Sequence, residues 1–280
     1  KWSLSTQMPP TVDKIEGNFL SSKFCQFPPA LTTMILLVTA GYDRKILFWD
    51  APSGKVIRGI TESKKDSDGN LLGVSSNSQQ INQMVFSPDI KYLACAGHPY
   101  VRFYDARTTN EVPVMSFSGH TNNVTSLGFQ QEGKWMFTGS EDQSVKIWDL
   151  SSSGFSKEFK FASSVTSAVL HPNQDVSQSS KIQHQQGEIV CGFQDGCIRV
   201  IDLVSGSVSS ETALFKDVAI RSISITADGK NMSVCNNAGI CFVWKQVSAP
   251  VLSNHQFAKP EHLSTQCGQK LESTSIIHSQ

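Results

Sequence analysis

Between residues 124 and 148 the chain alternates short apolar runs with polar turns: VTSLGF, QQEGK, WMFTGS, EDQ and SVKIW. The runs are rich in β-branched and aromatic residues and are bounded by Gly, Asp, Asn and Pro, a pattern that predicts strands joined by tight hairpins. The same order of runs recurs in INQMVFSPDIKYLACAG, in VTSAVLHPN resuming at GEIVCGFQDGCIRVID, and in IRSISITADGKNMSVCNNAGICFVW. No segment shows the 3.6-residue apolar period of an amphipathic helix. The pattern predicts an all-β protein built of repeated sheets.

Aligned on the end of the third run, the copies close at Trp49-Asp50, Tyr104-Asp105, Trp148-Asp149, Ile201-Asp202 and Trp244-Lys245, spaced by 55, 44, 53 and 43 residues. The shorter spacings match one four-stranded propeller blade. The longer ones contain polar insertions at 61–80 and 175–186, rich in Ser, Gln and Lys, which surface loops accept at low entropic cost. The expected organisation is a β-propeller over 34–247, with units ending near 50, 105, 149, 202 and 245. Residues 1–33, which hold Pro9-Pro10 and Pro28-Pro29, are expected to be an irregular extension outside the core. Residues 248–280 are expected to be a polar tail or the degenerate start of a sixth unit.

The third unit is the most complete. Asp142, in its hairpin turn, is placed to accept from the imidazole of His120. The other ring nitrogen can reach a hydroxyl, Thr138 or Ser140, near the indole N–H of Trp148. The remaining units keep parts of this set: Trp49 and Trp244 at the strand ends, Asp43 and Asp195 in the turns. Unit five has Ala238 at the acid's place, and unit two has a turn one residue shorter with no acid. A His-Asp-Ser set also suggests nucleophilic catalysis, but no Gly-x-Ser-x-Gly elbow accompanies it. The structural reading is the better one.

Composition narrows the function by exclusion. Equal numbers of acidic and basic residues remove the bulk argument for nucleic-acid or membrane-surface binding. The apolar run at 34–38 is far shorter than the roughly 20 residues of a membrane span. Seven cysteines, with five residues inside each of the pairs Cys191/Cys197 and Cys235/Cys241, do not fit a zinc knuckle, so no metal or cofactor is expected. Both pairs fall on strand-like segments and are expected to be buried reduced thiols. An odd cysteine count without a basic-then-apolar leader points to a reducing, cytoplasmic setting. The sequons at Asn123 and Asn231 then carry little meaning.

Particular stretches carry a resemblance. VTAGYDRKILFWDAPSGK (38–55), AGHPYVRFYDARTTN (96–110), EGKWMFTGSEDQSVKIWDL (132–150), LHPNQ (170–174) and NNAGICFVW (236–244) resemble the G-protein-β-subunit-like WD-repeat subunits of target-of-rapamycin (TOR) kinase complexes. The irregular units two and five match as well as the regular one, which a generic WD repeat would not do. The resemblance covers about 34–247 and implies seven blades, of which five are recognisable here; about two, on the order of 80 residues, have no counterpart. Without them the outer sheets would expose strand edges, and poor solubility of 34–280 without a partner is expected.

The function the resemblance implies is non-catalytic: a scaffold on the kinase domain of TOR, in company with other TOR complex subunits, in nutrient-responsive growth signalling. The residue before the turn acid, or at the corresponding place in units two and five, is expected to face one rim, which nominates Tyr42, His98, Glu141, Gln194 and Asn237 as partner contacts, Tyr42 foremost because aromatic anchors dominate interfaces. The alternative is a substrate receptor of a cullin-type ubiquitin ligase, suggested by Tyr104-Asp105-Ala106-Arg107.

Overall fold

The computed structural model describes residues 19–26, 35–42, 44–60, 80–108, 112–172 and 187–245. Every regular element among them is a β-strand. No helix there is long and apolar enough to cross a membrane. Five sheets follow one another, each ordered as its strands occur in the chain. The first comprises β1 (Phe19–Gln26), β2 (Ile35–Gly41), β3 (Ile46–Asp50) and β4 (Lys55–Ile60). The second comprises β5 (Gln83–Phe86), β6 (Tyr92–Ala96), β7 (Val101–Asp105) and β8 (Met115–Phe117). The third holds β9 (Val124–Phe129), β10 (Trp135–Ser140), β11 (Ser144–Asp149) and β12 (Gly154–Lys160). The fourth holds β13 (Val165–Leu170), β14 (Glu188–Phe193), β15 (Cys197–Asp202) and β16 (Ser207–Ala213). The fifth has β17 (Ile220–Ile225), β18 (Asn231–Asn236) and β19 (Cys241–Lys245). The chain divides between Ala168 and Val169, inside β13, into two compact units.

Packing within each unit is face to face. In the first, Val38, Ile46 and Phe48 of the first sheet meet Met84, Leu93 and Tyr104 of the second. Phe103 and Phe117 of the second sheet meet Leu127, Met136 and Trp148 of the third. In the second unit, Val190, Ile198 and Val200 pack with Ile223, Val234, Phe242 and Trp244. A strand covered on both faces buries every residue, as all six of β10 do. β18, covered on one face, buries alternate residues.

The hairpin between the second and third strands explains the turn chemistry. Pairing of Ala40 with Ile46, Gly139 with Val145, Gly192 with Ile198 and Cys235 with Cys241 leaves five-residue loops. Pairing of Ala96 with Val101 leaves only four, the shorter turn expected of unit two. Each longer loop has one left-handed residue at the same place: Arg44, Gln143, Gly196 and Gly239.

Two expectations need correction. The segment 1–33 is not wholly irregular, because β1 pairs antiparallel with β2 from Ser21 opposite Ala40 to Gln26 opposite Ile35. Its centre, Ser21-Ser22-Lys23, hides the strand from a hydrophobic pattern, yet the pairing uses only backbone groups. The two cysteine pairs also differ from one another. Cys235 and Cys241 face each other across β18 and β19 with their Cα atoms 4.2 Å apart, and a disulfide joins them. Cys191 and Cys197 are free thiols, because Cys191 lies opposite Arg199 while Cys197 sits at the start of β15, opposite Ala213. Equal spacing with the turn displaced by one residue flips the side-chain faces. Asp43, residues 61–79 and 175–186, and the tail 248–280 lie outside the described residues.

Candidate functional site

In the third sheet four side chains from four successive segments meet. His120 comes from the connection before β9, Thr138 from β10, Asp142 from the β10–β11 turn and Trp148 from β11. His120 Nδ1 lies 2.7 Å from Asp142 Oδ2, and His120 Nε2 lies 2.7 Å from Thr138 Oγ1. The indole N–H of Trp148 donates to Thr138 Oγ1 at 2.8 Å. An indole nitrogen only donates and a carboxylate only accepts, so the Nδ1–H tautomer satisfies the whole chain: Asp142 accepts from His120, and Thr138 accepts from Trp148 while donating to Nε2.

Ser140, the other hydroxyl considered, points elsewhere. It donates to the Asn123 carbonyl at 2.8 Å and accepts the Asp142 N–H at 3.1 Å. Ser144 is a member that the sequence reading missed: its Oγ and N–H both donate to Asp142 Oδ1, at 2.6 and 3.0 Å. The signal was present as Asp-x-Ser, the spacing of an Asx turn. Burial of Asp142 would raise its pKa, but the hydrogen bonds from His120, Ser144 and the Thr121 N–H outweigh it and hold the carboxyl well below the usual carboxylate range. Gly119, at φ 150°, lets the chain pass the indole: a Cβ there would lie 3.1 Å from Trp148 Cη2.

Thr138, His120 and Asp142 have the connectivity of a nucleophile, base and orienting acid. The hydroxyl, however, has no exposed surface and already receives the Trp148 N–H. A substrate has no approach to it, and what the arrangement can do is hold two strands and a connection together.

The other units keep fragments. Trp49 donates to Thr39 Oγ1 at 2.9 Å, repeating the Trp148–Thr138 bond at the same ten-residue spacing. Ten residues before Trp244 stands Val234, so Trp244 packs against Phe242 instead. Asp195 caps its turn by accepting the Cys197 N–H at 2.9 Å and pairs with Arg199 at 2.9 Å. Burial opposes its ionisation, and Arg199 outweighs that, lowering the pKa. A further role went unread: the Asp that closes the third strand of the first four sheets accepts a turn N–H, from Ser53 to Asp50, Arg107 to Asp105, Ser151 to Asp149 and Val204 to Asp202.

The five nominated partner contacts all occupy the second-to-third-strand turns. Tyr42 is 51% exposed, and His98, Gln194 and Asn237 are exposed. Glu141 is half-buried, its carboxylate accepting from Asn123 Nδ2 at 2.9 Å and its carbonyl from Ser164 Oγ at 3.0 Å. Between the first two turns a small pocket is lined by Arg44, Gln80, Tyr100 and Arg102 among others. Its two arginines come from different sheets, so sequence spacing carries no sign of it.

Residues 111–149 match the family model described as WD domain, G-beta repeat. The chain is 37% identical over 233 residues to "Target of rapamycin complex subunit wat1" of Schizosaccharomyces pombe, covering 83% of this chain and 63% of that protein. It is 37% identical over 211 residues to "Target of rapamycin complex subunit LST8" of Saccharomyces cerevisiae, and 41% over 211 residues to "Protein LST8 homolog" of Dictyostelium discoideum. Each of these two matches covers 75% of this chain and 61% of the relative. The chain thus spans about three-fifths of the length of the curated relatives it matches. The fold is that of a WD-repeat β-propeller, and over the matched length the sequence is similar to those of LST8 proteins.

Proposed function

We propose that the chain acts as a non-catalytic scaffold subunit of TOR kinase complexes in the cytoplasm, binding and stabilising the kinase domain in nutrient-responsive growth signalling. The observation that carries this reading is the 37% identity, over 83% of the chain, to a TOR complex subunit. The burial of Thr138 supports the non-catalytic part, since the one triad-like set in the third sheet is sealed framework. The second-to-third-strand turns are the proposed contacts, Tyr42 foremost, with His98 and Glu141 in the first compact unit and Gln194 and Asn237 in the second.

Affinity purification of the tagged chain followed by mass spectrometry tests the partner, with the TOR kinase as the expected prey. The double variant Tyr42→Ala, Glu141→Lys is expected to reduce kinase recovery, while Glu141→Gln, which keeps an acceptor for Asn123, recovers it. Undiminished recovery with a folded double variant overturns the assigned contact. The ligase-receptor alternative rests on Arg107, whose guanidinium donates to the Asp89 carbonyl at 3.2 Å within its own sheet. The relatives cited above give that alternative no support, and recovery of a ligase adaptor in place of the kinase would restore it.

A further inference from the structure

We propose that Cys235 and Cys241 form a reversible thiol–disulfide site, oxidised by glutathione disulfide, that clamps the turn from Asn236 to Ile240. The two residues are direct partners in the β18–β19 ladder, with Cα atoms 4.2 Å apart, and are bonded in the structure. That placement is specific to this sheet. In the fourth sheet the same sequence spacing puts Cys191 opposite Arg199 and Cys197 opposite Ala213, so no bond can close.

Cys235 and Cys241 are half-buried, within reach of a small thiol reagent, whereas Cys95 and Cys191 are buried and burial raises their thiol pKa, which leaves them inert. Cys197 is half-buried too, but it has Ala213 and no cysteine opposite it, and burial and the Asp195 charge raise its thiol pKa.

The clamped turn lacks the device used in the third sheet. There Asp142, tied to His120, holds the loop; here Ala238 occupies the acid's place. The loop is shaped instead by Asn236, whose side-chain oxygen accepts the N–H groups of Ala238 at 3.0 Å and Ile240 at 2.9 Å. The disulfide spans these contacts and fixes the strand ends from which they arise. Its ring is short, so it removes little freedom from the unfolded chain and acts on local opening of the turn.

The chemistry balances with glutathione disulfide as oxidant. The thiolate of one cysteine attacks a glutathione sulfur, forming a mixed disulfide and releasing one glutathione thiolate. The second cysteine, deprotonated, attacks the protein sulfur of that mixed disulfide and releases the other. Two protein thiols are oxidised, one glutathione disulfide is reduced to two glutathiones, and the two thiol protons pass to the released thiolates.

The test uses the full chain equilibrated across ratios of reduced to oxidised glutathione, then alkylated and peptide-mapped, with hydrogen exchange measured on the fully reduced and oxidised forms. The linked Cys235–Cys241 peptide is expected to appear in one two-electron step while Cys95 and Cys191 stay as thiols. Amide exchange in the 236–240 turn is expected to slow about tenfold on oxidation with the flanking strands unchanged. Cys241→Ser is expected to stop at the mixed disulfide on Cys235 and to show no slowing. Alkylation of both cysteines at every ratio, or a linked peptide with unchanged turn exchange, overturns the proposal. The reduced–oxidised comparison uses the unaltered chain, so it holds even where a variant folds poorly.

Discussion

Trp148 donates its indole N–H to the hydroxyl of Thr138 at 2.8 Å, and that same hydroxyl lies 2.7 Å from His120 Nε2. One oxygen thus serves two side chains that leave β11 and the connection before β9. In the first sheet the corresponding oxygen, Thr39 Oγ1, receives Trp49 at 2.9 Å. Removing either hydroxyl strands a buried donor, but Thr138 strands two groups.

Thr138→Val is therefore expected to destabilise the chain by about 1–3 kcal/mol, and by more than Thr39→Val, which leaves only one donor without its acceptor. Val keeps the shape of Thr, so cavity formation does not confuse the comparison. Urea denaturation of the two variants, read as the midpoint at constant slope, checks the order. Equal losses would show that His120 draws nothing from Thr138.

Asp142 sets an acid limit on stability. Its folded pKa is held below the value near 3.9 that an unfolded aspartate has, by hydrogen bonds that outweigh burial. The folded state therefore binds its proton less readily than the unfolded state, so the stabilisation is present above about pH 4 and is lost as pH falls toward the folded pKa. Asp142→Asn is expected to be less stable at pH 7 and to show a shallower decline between about pH 4 and 2. Thermal unfolding of both forms across that range checks it, and parallel curves would remove Asp142 from the acid response.

Val243 offers a contrast across the repeats. The residue two positions before the third-strand end is buried in four sheets, at Phe48 2%, Phe103 1%, Ile147 6% and Val200 7%, but Val243 is 52% exposed. Ile147→Ala is expected to cost about 2–5 kcal/mol, as buried aliphatic truncations do. Val243→Ala is expected to stay near 0.5 kcal/mol, roughly the range of surface changes. Thermal or urea unfolding of the pair decides it. A loss at Val243 comparable to that at Ile147 would mean that something covers this face in solution.

The repeat was legible because each unit spells the same local physics. Turn acids, glycines and strand-end aromatics recur at nearly constant spacing, and the loops of five and four residues follow from that spacing. The choice of Thr138 over Ser140 was not legible. Both lie on one face of β10, two residues or about 6.7 Å apart along the strand, and only the position of the incoming His120 decides which it meets. The arginines around the Arg44–Arg102 pocket were equally silent, because they belong to different sheets.

By itself, the sequence determined an all-β chain of five repeating units, the place of each turn, and all but Ser144 of the residues from which the third sheet's network is drawn. The tertiary structure decided which members of that set touch. It joined Cys235 to Cys241 while leaving Cys191 apart from Cys197, recruited β1 from a polar segment, and left Val243 half-exposed where its counterparts are buried. The division has one physical cause. Turn and strand propensities act over a few neighbouring residues and repeat wherever the residues repeat. Register and burial depend instead on which distant backbone pairs with a strand and which sheet lies against its face, and a one-residue change in either reverses the outcome.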